Sequence, residues 1–198
     1  MKKLLGILVL GLFLITPSQA DDITDFQIEG MSIGDSLLDY YSKEEINDYM
    51  QFGFKSKEFA YLNLKQKMLD TFDDGHILFK PEDKKFIIHG ISGRIFFDNN
   101  IEDCKKKQKE IVNEFSELFK NISQKDDQGT FSYSADDSGK SKVTAINFQL
   151  NDGGASHVGC YEFSKKFLEE NNYNPIQVVL SLSLASAEYN DFQKNRAY

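Results

Sequence analysis

Three histidines, two cysteines and a serine in the tetrapeptide Gly34-Asp35-Ser36-Leu37 are the residues of this chain whose types could carry chemistry. A serine attacks an acyl carbon when a histidine takes its proton and a carboxylate holds that histidine in place. An Asp-x-x-His is present at Asp73 and His76, but no Gly-x-Asn occurs that could supply an oxyanion donor. Ser36 therefore reads as part of a helix start, with Gly34, Asp35 and Ser36 in the first turn and Ile33, Leu37 and Leu38 as its apolar stripe. His76, His89 and His157 stand on separate segments, without a spacing such as HxxxH that sets two imidazoles on one metal. His157 and Cys160 are three apart, yet strand alternation sends them to opposite faces. Asp126-Asp127 and Asp136-Asp137 lack the alternating acids of a calcium loop and read as solvated loops. No metal and no cofactor is expected, and Lys105, Lys106 and Lys107 read as a solvent face because acids flank them.

The tetrapeptide at 34–37 resembles the nucleophile block of the SGNH hydrolase family, whose serine attacks esters. In that family the block follows an apolar central strand and the Asp-x-x-His lies near the C-terminus. Here residues 25–30 are short and polar and the Asp-x-x-His lies at 73–76, so an ester hydrolase ranks last among the functions considered.

The cysteines point to a bond. Lys2 and Lys3, an apolar run over residues 4–15 and small residues up to Ala20 form a signal peptide over 1–20, leaving 21–198 as one domain that begins at Asp21. An exported chain with an even cysteine count pairs them, and both Cys104 and Cys160 fall on apolar faces. A Cys104–Cys160 disulfide closes a long loop and is worth about 4 kcal/mol on the chain-entropy account. Losing Lys2 and Lys3 takes the net charge from −8 to −10, which argues against nucleic acid and anionic lipid as partners. No later segment approaches the roughly 20 apolar residues of a membrane span, so no membrane insertion follows cleavage.

The elements that must position these residues can be read from periodicity. Ser42 with Glu45 is a capping box, and Tyr41 and Ile46 take the staple positions. Residues 59–64 and 76–80 read as strands, and residues 80–84, with Pro81, as a turn. Residues 86–97 form a long strand that Gly90 and Gly93 bend. Residues 101–119 form the clearest helix, capped by Asn100, with Cys104, Ile111, Val112, Phe115, Leu118 and Phe119 on one side. Residues 124–142 read as polar loops around a short strand at 131–134. Residues 143–150 and 155–163 form a hairpin about Asn151-Asp152-Gly153-Gly154. Ile176, Val178, Leu180, Leu182 and Leu184 alternate with polar residues, and a helix over 186–195 closes the chain.

The fold class that follows is α+β: an antiparallel sheet with helices packed on one face, in one domain with one disulfide. Asn147, Gln149, His157, Tyr161, Gln177, Ser181 and Ser183 then share the opposite, polar face, a candidate recognition surface. The expected function is a periplasmic or secreted, non-catalytic domain that binds an envelope protein or a small ligand, with a structural envelope component as the alternative. Residues 25–42, 99–105, the Cys160 strand and the final Ala197-Tyr198 together resemble a group of small secreted proteins from AT-rich marine alphaproteobacteria. That resemblance implies a periplasmic location and a shared fold, and it implies no activity. The Gly30-Met31-Ser32 opening is also similar to outer-membrane assembly proteins of the small-lipoprotein type, whose lipidated cysteine this chain lacks.

Overall fold

The computed structural model describes residues 23–118, 122–171 and 175–197. The signal peptide, the start at Asp21 and the expected helical residue Phe119 lie outside the described residues. A two-residue hairpin, β1 (Gln27–Ile28) and β2 (Met31–Ser32), precedes a seven-stranded antiparallel sheet. The sheet strands are β3 (Ala60–Asn63), β4 (Asp74–Phe79), β5 (Ile88–Phe96), β6 (Ile122–Ser132), β7 (Lys142–Leu150), β8 (Ala155–Glu162) and β9 (Val178–Ala185). They lie in the order β3-β4-β5-β9-β8-β7-β6, so the last strand inserts between the two hairpin systems and joins them. The helices are α1 (Lys43–Tyr49), α2 (Ile101–Leu118), α3 (Lys165–Glu170) and α4 (Ala187–Asn195). Among the described residues no helix is long and apolar enough to cross a membrane.

The fold is α+β, and its long helix lies across the oily face of the sheet as the alternation requires. The helices do not all pack on that face as expected, because α4 covers Leu78, Gly90 and Ala185 on the opposite one. Leu180, Leu182 and Leu184 of β9 are buried on the oily face with Val158 and Phe148. Phe115 of α2 stacks on Phe148 at 5.7 Å and on Phe26 at 5.1 Å. Cys104 and Cys160 are bonded, with a Cα–Cα separation of 6.0 Å, which staples the first turn of α2 to β8. Gln108 occupies a position in the apolar stripe and is buried there. Its amide donates to the backbone carbonyls of Thr144 and Val158, at 2.8 Å each, and so satisfies a polar group in the core.

Several local signals resolve as the sequence dictates. Ser42 and Glu45 close a complete capping box on α1, Asn100 accepts from Asp103 N–H, and Ser186 caps α4. The bend in β5 is a bulge: Leu78 pairs with Gly90 and Phe79 with Ile88, leaving His89 as the extra residue.

Three further readings need correction. Residues 122–132 are one edge strand and not a loop with a short strand, because β7 offers ladder partners along its length, with irregularities at 122/124 and 127/129, and that pairing outweighs the polar composition. Asp126 and Asp127 belong to that strand. Asp136 is no solvated loop residue: it is 7% exposed, and its carboxylate accepts from the N–H and hydroxyl of Ser138, the N–H and hydroxyl of Ser141 and the hydroxyl of Ser164. Those hydrogen bonds hold the carboxyl well below the usual carboxylate range. Third, Gly34, Asp35 and Ser36 precede a single 3-10 turn (Leu37–Asp39) and not a full helix, and Leu38 is 43% exposed.

Candidate functional site

The register of the sheet lines up polar residues from all seven strands on the face opposite α2. Asn63 pairs with His76, His76 with Ser92, Ser92 with Ser183, Ser183 with His157, His157 with Asn147, and Asn147 with Asp126. Directly paired residues in an antiparallel sheet point the same way, so these side chains form one row across the strands. At about 4.8 Å per strand, His76 and His157 stand roughly 14 Å apart, too far to share a metal ion.

Two covered regions bound this row and turn it into a cleft. On one side α4 packs over Leu78, Gly90 and Ala185, with Tyr189 and Phe192 buried against Phe59 in a second apolar cluster. Gly90 eases this close approach, since a Cβ there would lie 3.0 Å from Leu78 Cδ1 and 3.2 Å from the Tyr189 ring. On the other side stands Tyr161, backed by Tyr133 and Phe163 at ring separations of 5.8 and 5.6 Å. The cleft between them holds about 630 Å³, with His76, Ser92, Ser181, Ser183, His157 and Asn147 in its lining. Asn190 fixes α4 to the β7–β8 turn by donating to Gln149 Oε1 at 3.2 Å and to the Gly153 carbonyl at 3.0 Å. Lys194 donates to the same Gln149 oxygen at 3.1 Å.

Six of the seven face residues expected from the sequence, namely Asn147, Gln149, His157, Tyr161, Ser181 and Ser183, therefore line one cleft. Gln177 does not join them. β9 begins at Val178, and the Gln177 carbonyl accepts from Phe163 N–H at the end of the ladder. His76 and Ser92 belong to the site and were not in the expected set, because their alignment with His157 depends on the insertion of β9 beside β5.

The histidines are held neutral. Burial lowers the His76 imidazole to about 4, with the Arg94 guanidinium acting in the same direction and Asp74 against it. Burial also pushes His157 down. In the neutral ring, His157 Nδ1–H donates to Asn147 Oδ1 at 2.7 Å, which leaves Nε2 to accept the Tyr161 hydroxyl at 3.0 Å. Gly159 makes this possible: a Cβ there would lie 2.5 Å from His157 Nε2, so only glycine lets the imidazole lie along the strand toward Tyr161. His89 stands apart, edge-on to Phe59 and 3.1 Å from the Ser186 hydroxyl.

These groups are poorly arranged for nucleophilic chemistry. Ser92 lies 2.9 Å from His76 Nδ1 but is only 3% exposed, and a histidine titrating near 4 is a weak proton acceptor at neutral pH. Burial raises the Tyr161 hydroxyl to about 12, away from an ionised nucleophile. Ser36 donates to the Lys85 carbonyl at 2.7 Å and accepts from Leu38 N–H at 3.2 Å, while His76 is engaged with Ser92. A fluorophosphonate probe is expected to leave Ser36 unlabelled, and Ser36→Ala is expected to cost only the 0.5–2 kcal/mol typical of a lost cap. Labelling of Ser36 would reverse this assignment.

The buried imidazoles also set a pH dependence. The unfolded chain takes up protons below the ordinary histidine value of 6.5, whereas folded His76 does so only near 4. Stability is thus complete above that window and declines as pH falls through it, by about 3 kcal/mol from His76 alone. His89 and His157 shift in the same direction and add to the decline. The expected result is a melting temperature that drops steadily from about pH 6.5 to about pH 4.5, and a flat profile across that interval would contradict the buried, neutral state.

No protein family, curated protein or solved structure matches this chain, so its function is read from the chemistry of the cleft.

Proposed function

We propose that this chain is a secreted, periplasmic, non-catalytic domain that binds a small solute in the cleft on the polar face of its sheet. The convergence of His76, Ser92, Ser183, His157 and Asn147 on one concavity of about 630 Å³ carries the reading. Small-molecule sites are typically about 300–1,000 Å³, with a few placed polar groups among apolar walls. The leader-like N-terminus and the disulfide support export to an oxidising compartment. The engaged state of Ser36 and the depressed basicity of His76 support binding without chemistry.

The reading is tested by saturation-transfer NMR on protein recovered from the periplasm, with its N-terminus at Asp21, against the low-molecular-mass fraction of a periplasmic extract. Solute signals are expected with the wild type and should vanish in Ser183→Trp, which fills the floor of the cleft. Signals that persist in the variant, or none from the wild type, would overturn the assignment.

A further inference from the structure

We infer that the solute is neutral and rich in hydroxyls, a sugar or polyol lying along the transverse row. This rests on the cleft being a solute site and concerns which chemical class it selects.

Charge is the first discriminant. Among the described residues, the charged side chains lining the cleft are Asp126 and Lys194, and both already have partners within the protein. Asp126 accepts from Gln128 Nε2 at 3.0 Å and Lys194 donates to Gln149. Arg94, on the row beside Ser92, is spent on Asp74, with Nε and Nη2 each donating at 2.5 Å. The partners of Asp126 and Lys194 are neutral amides, so each keeps its charge, but they are one carboxylate and one ammonium, and the lining has no net charge that would select a ligand of either sign.

Donor and acceptor balance is the second. With the imidazoles engaged inside the protein, the floor still offers the serine hydroxyls, each a donor and an acceptor, together with the Asn147 amide N–H donors and the Tyr161 hydroxyl oxygen as an acceptor. A ligand hydroxyl both donates and accepts, so it can meet any of them. The Ser181 and Ser183 hydroxyls make no hydrogen bond to the protein among the described residues, although both line the cleft. Between them and the fixed Asn147–His157–Tyr161 chain, the floor combines rotatable hydroxyls with a rigid polar edge. Rotatable hydroxyls adapt to the stereochemistry of a sugar ring, and the rigid edge orients it.

The test is isothermal titration of the mature protein with maltotriose, trehalose and myo-inositol, set against glycine betaine, citrate and spermidine. At least one hydroxylated probe is expected to bind, with an affinity unchanged on raising the salt concentration, because no ion pair is screened. Ser183→Trp should weaken it by at least about tenfold. Ser183→Ala, which removes only the hydroxyl, gives a milder loss in a variant whose packing is preserved. Binding of betaine, citrate or spermidine that Ser183→Trp abolishes would refute the sugar or polyol class while leaving the cleft a solute site. Absence of binding by all six probes would overturn the inferred class. Retention of full sugar affinity in both variants would show that the row is not the site.

Discussion

Reduction of the Cys104–Cys160 bond is expected to lower the stability of the folded chain by about 4 kcal/mol, a large share of the 5–15 kcal/mol typical of a domain. The bond joins residues 56 apart in sequence, and most of its effect lies in the unfolded chain, whose freedom it restricts. In the fold it fixes the start of α2 on β8, the strand that carries Gly159, His157 and Tyr161 on its other face. Denaturant titration with and without reductant checks the figure, provided that the slope is compared as well as the midpoint. A shift well below about 1 kcal/mol would mean that α2 stays seated through Ile111, Val112 and Phe115 alone.

Phe192→Ala is expected to cost about 3–5 kcal/mol, the range for a fully buried aromatic cut to a methyl group. Phe192 is 0% exposed and packs against Phe59 at 4.8 Å, Phe54 at 5.1 Å and Tyr189 at 6.1 Å, with the Arg196 guanidinium 5.6 Å over its ring. This cluster is separate from the main core and anchors α4 over one side of the cleft. The variant should therefore lose stability and solute affinity together, whereas a main-core substitution such as Val112→Ala should lower stability with affinity retained. Chemical denaturation paired with solute titration tests this. A Phe192→Ala protein with wild-type affinity would separate α4 from the site.

Much of the local structure was legible because short-range chemistry decides it. The capping box at Ser42 and Glu45, the Asn100 cap, the hairpin at 151–154 and the alternation of Leu180, Leu182 and Leu184 each depend on neighbours within a few residues. The disulfide was legible because both cysteines fell on faces that pattern alone marked as apolar. What stayed hidden depends on long-range register. Nothing near residues 76 or 92 announces that β9 will lie beside β5, so His76 and Ser92 could not be joined to His157. The signal was present in part. Ser92 is a buried polar residue in an oily strand, and its parity places it opposite the apolar Ile91. Gln108 gave a similar hint by interrupting an apolar stripe. Asp136 was misread because its partners Ser138, Ser141 and Ser164 come from two segments, and polar composition alone cannot tell a solvated acid from a buried, fully hydrogen-bonded one.

The covalent link between Cys104 and Cys160 also divides the molecule mechanically. β6, β7 and most of α2 and β8 lie inside the loop that it closes. A pull applied at the two ends of the chain therefore bypasses them, because the load passes through the sulfur bridge and not through the intervening backbone. About 190 Å of contour length is withheld from extension while the bridge is intact, taking 3.3–3.6 Å for each bridged residue. Stretched in a single-molecule experiment, the oxidised chain should yield at β3, β4, β5, β9 and α4, and the final extension should lengthen by that increment only when a reductant is added.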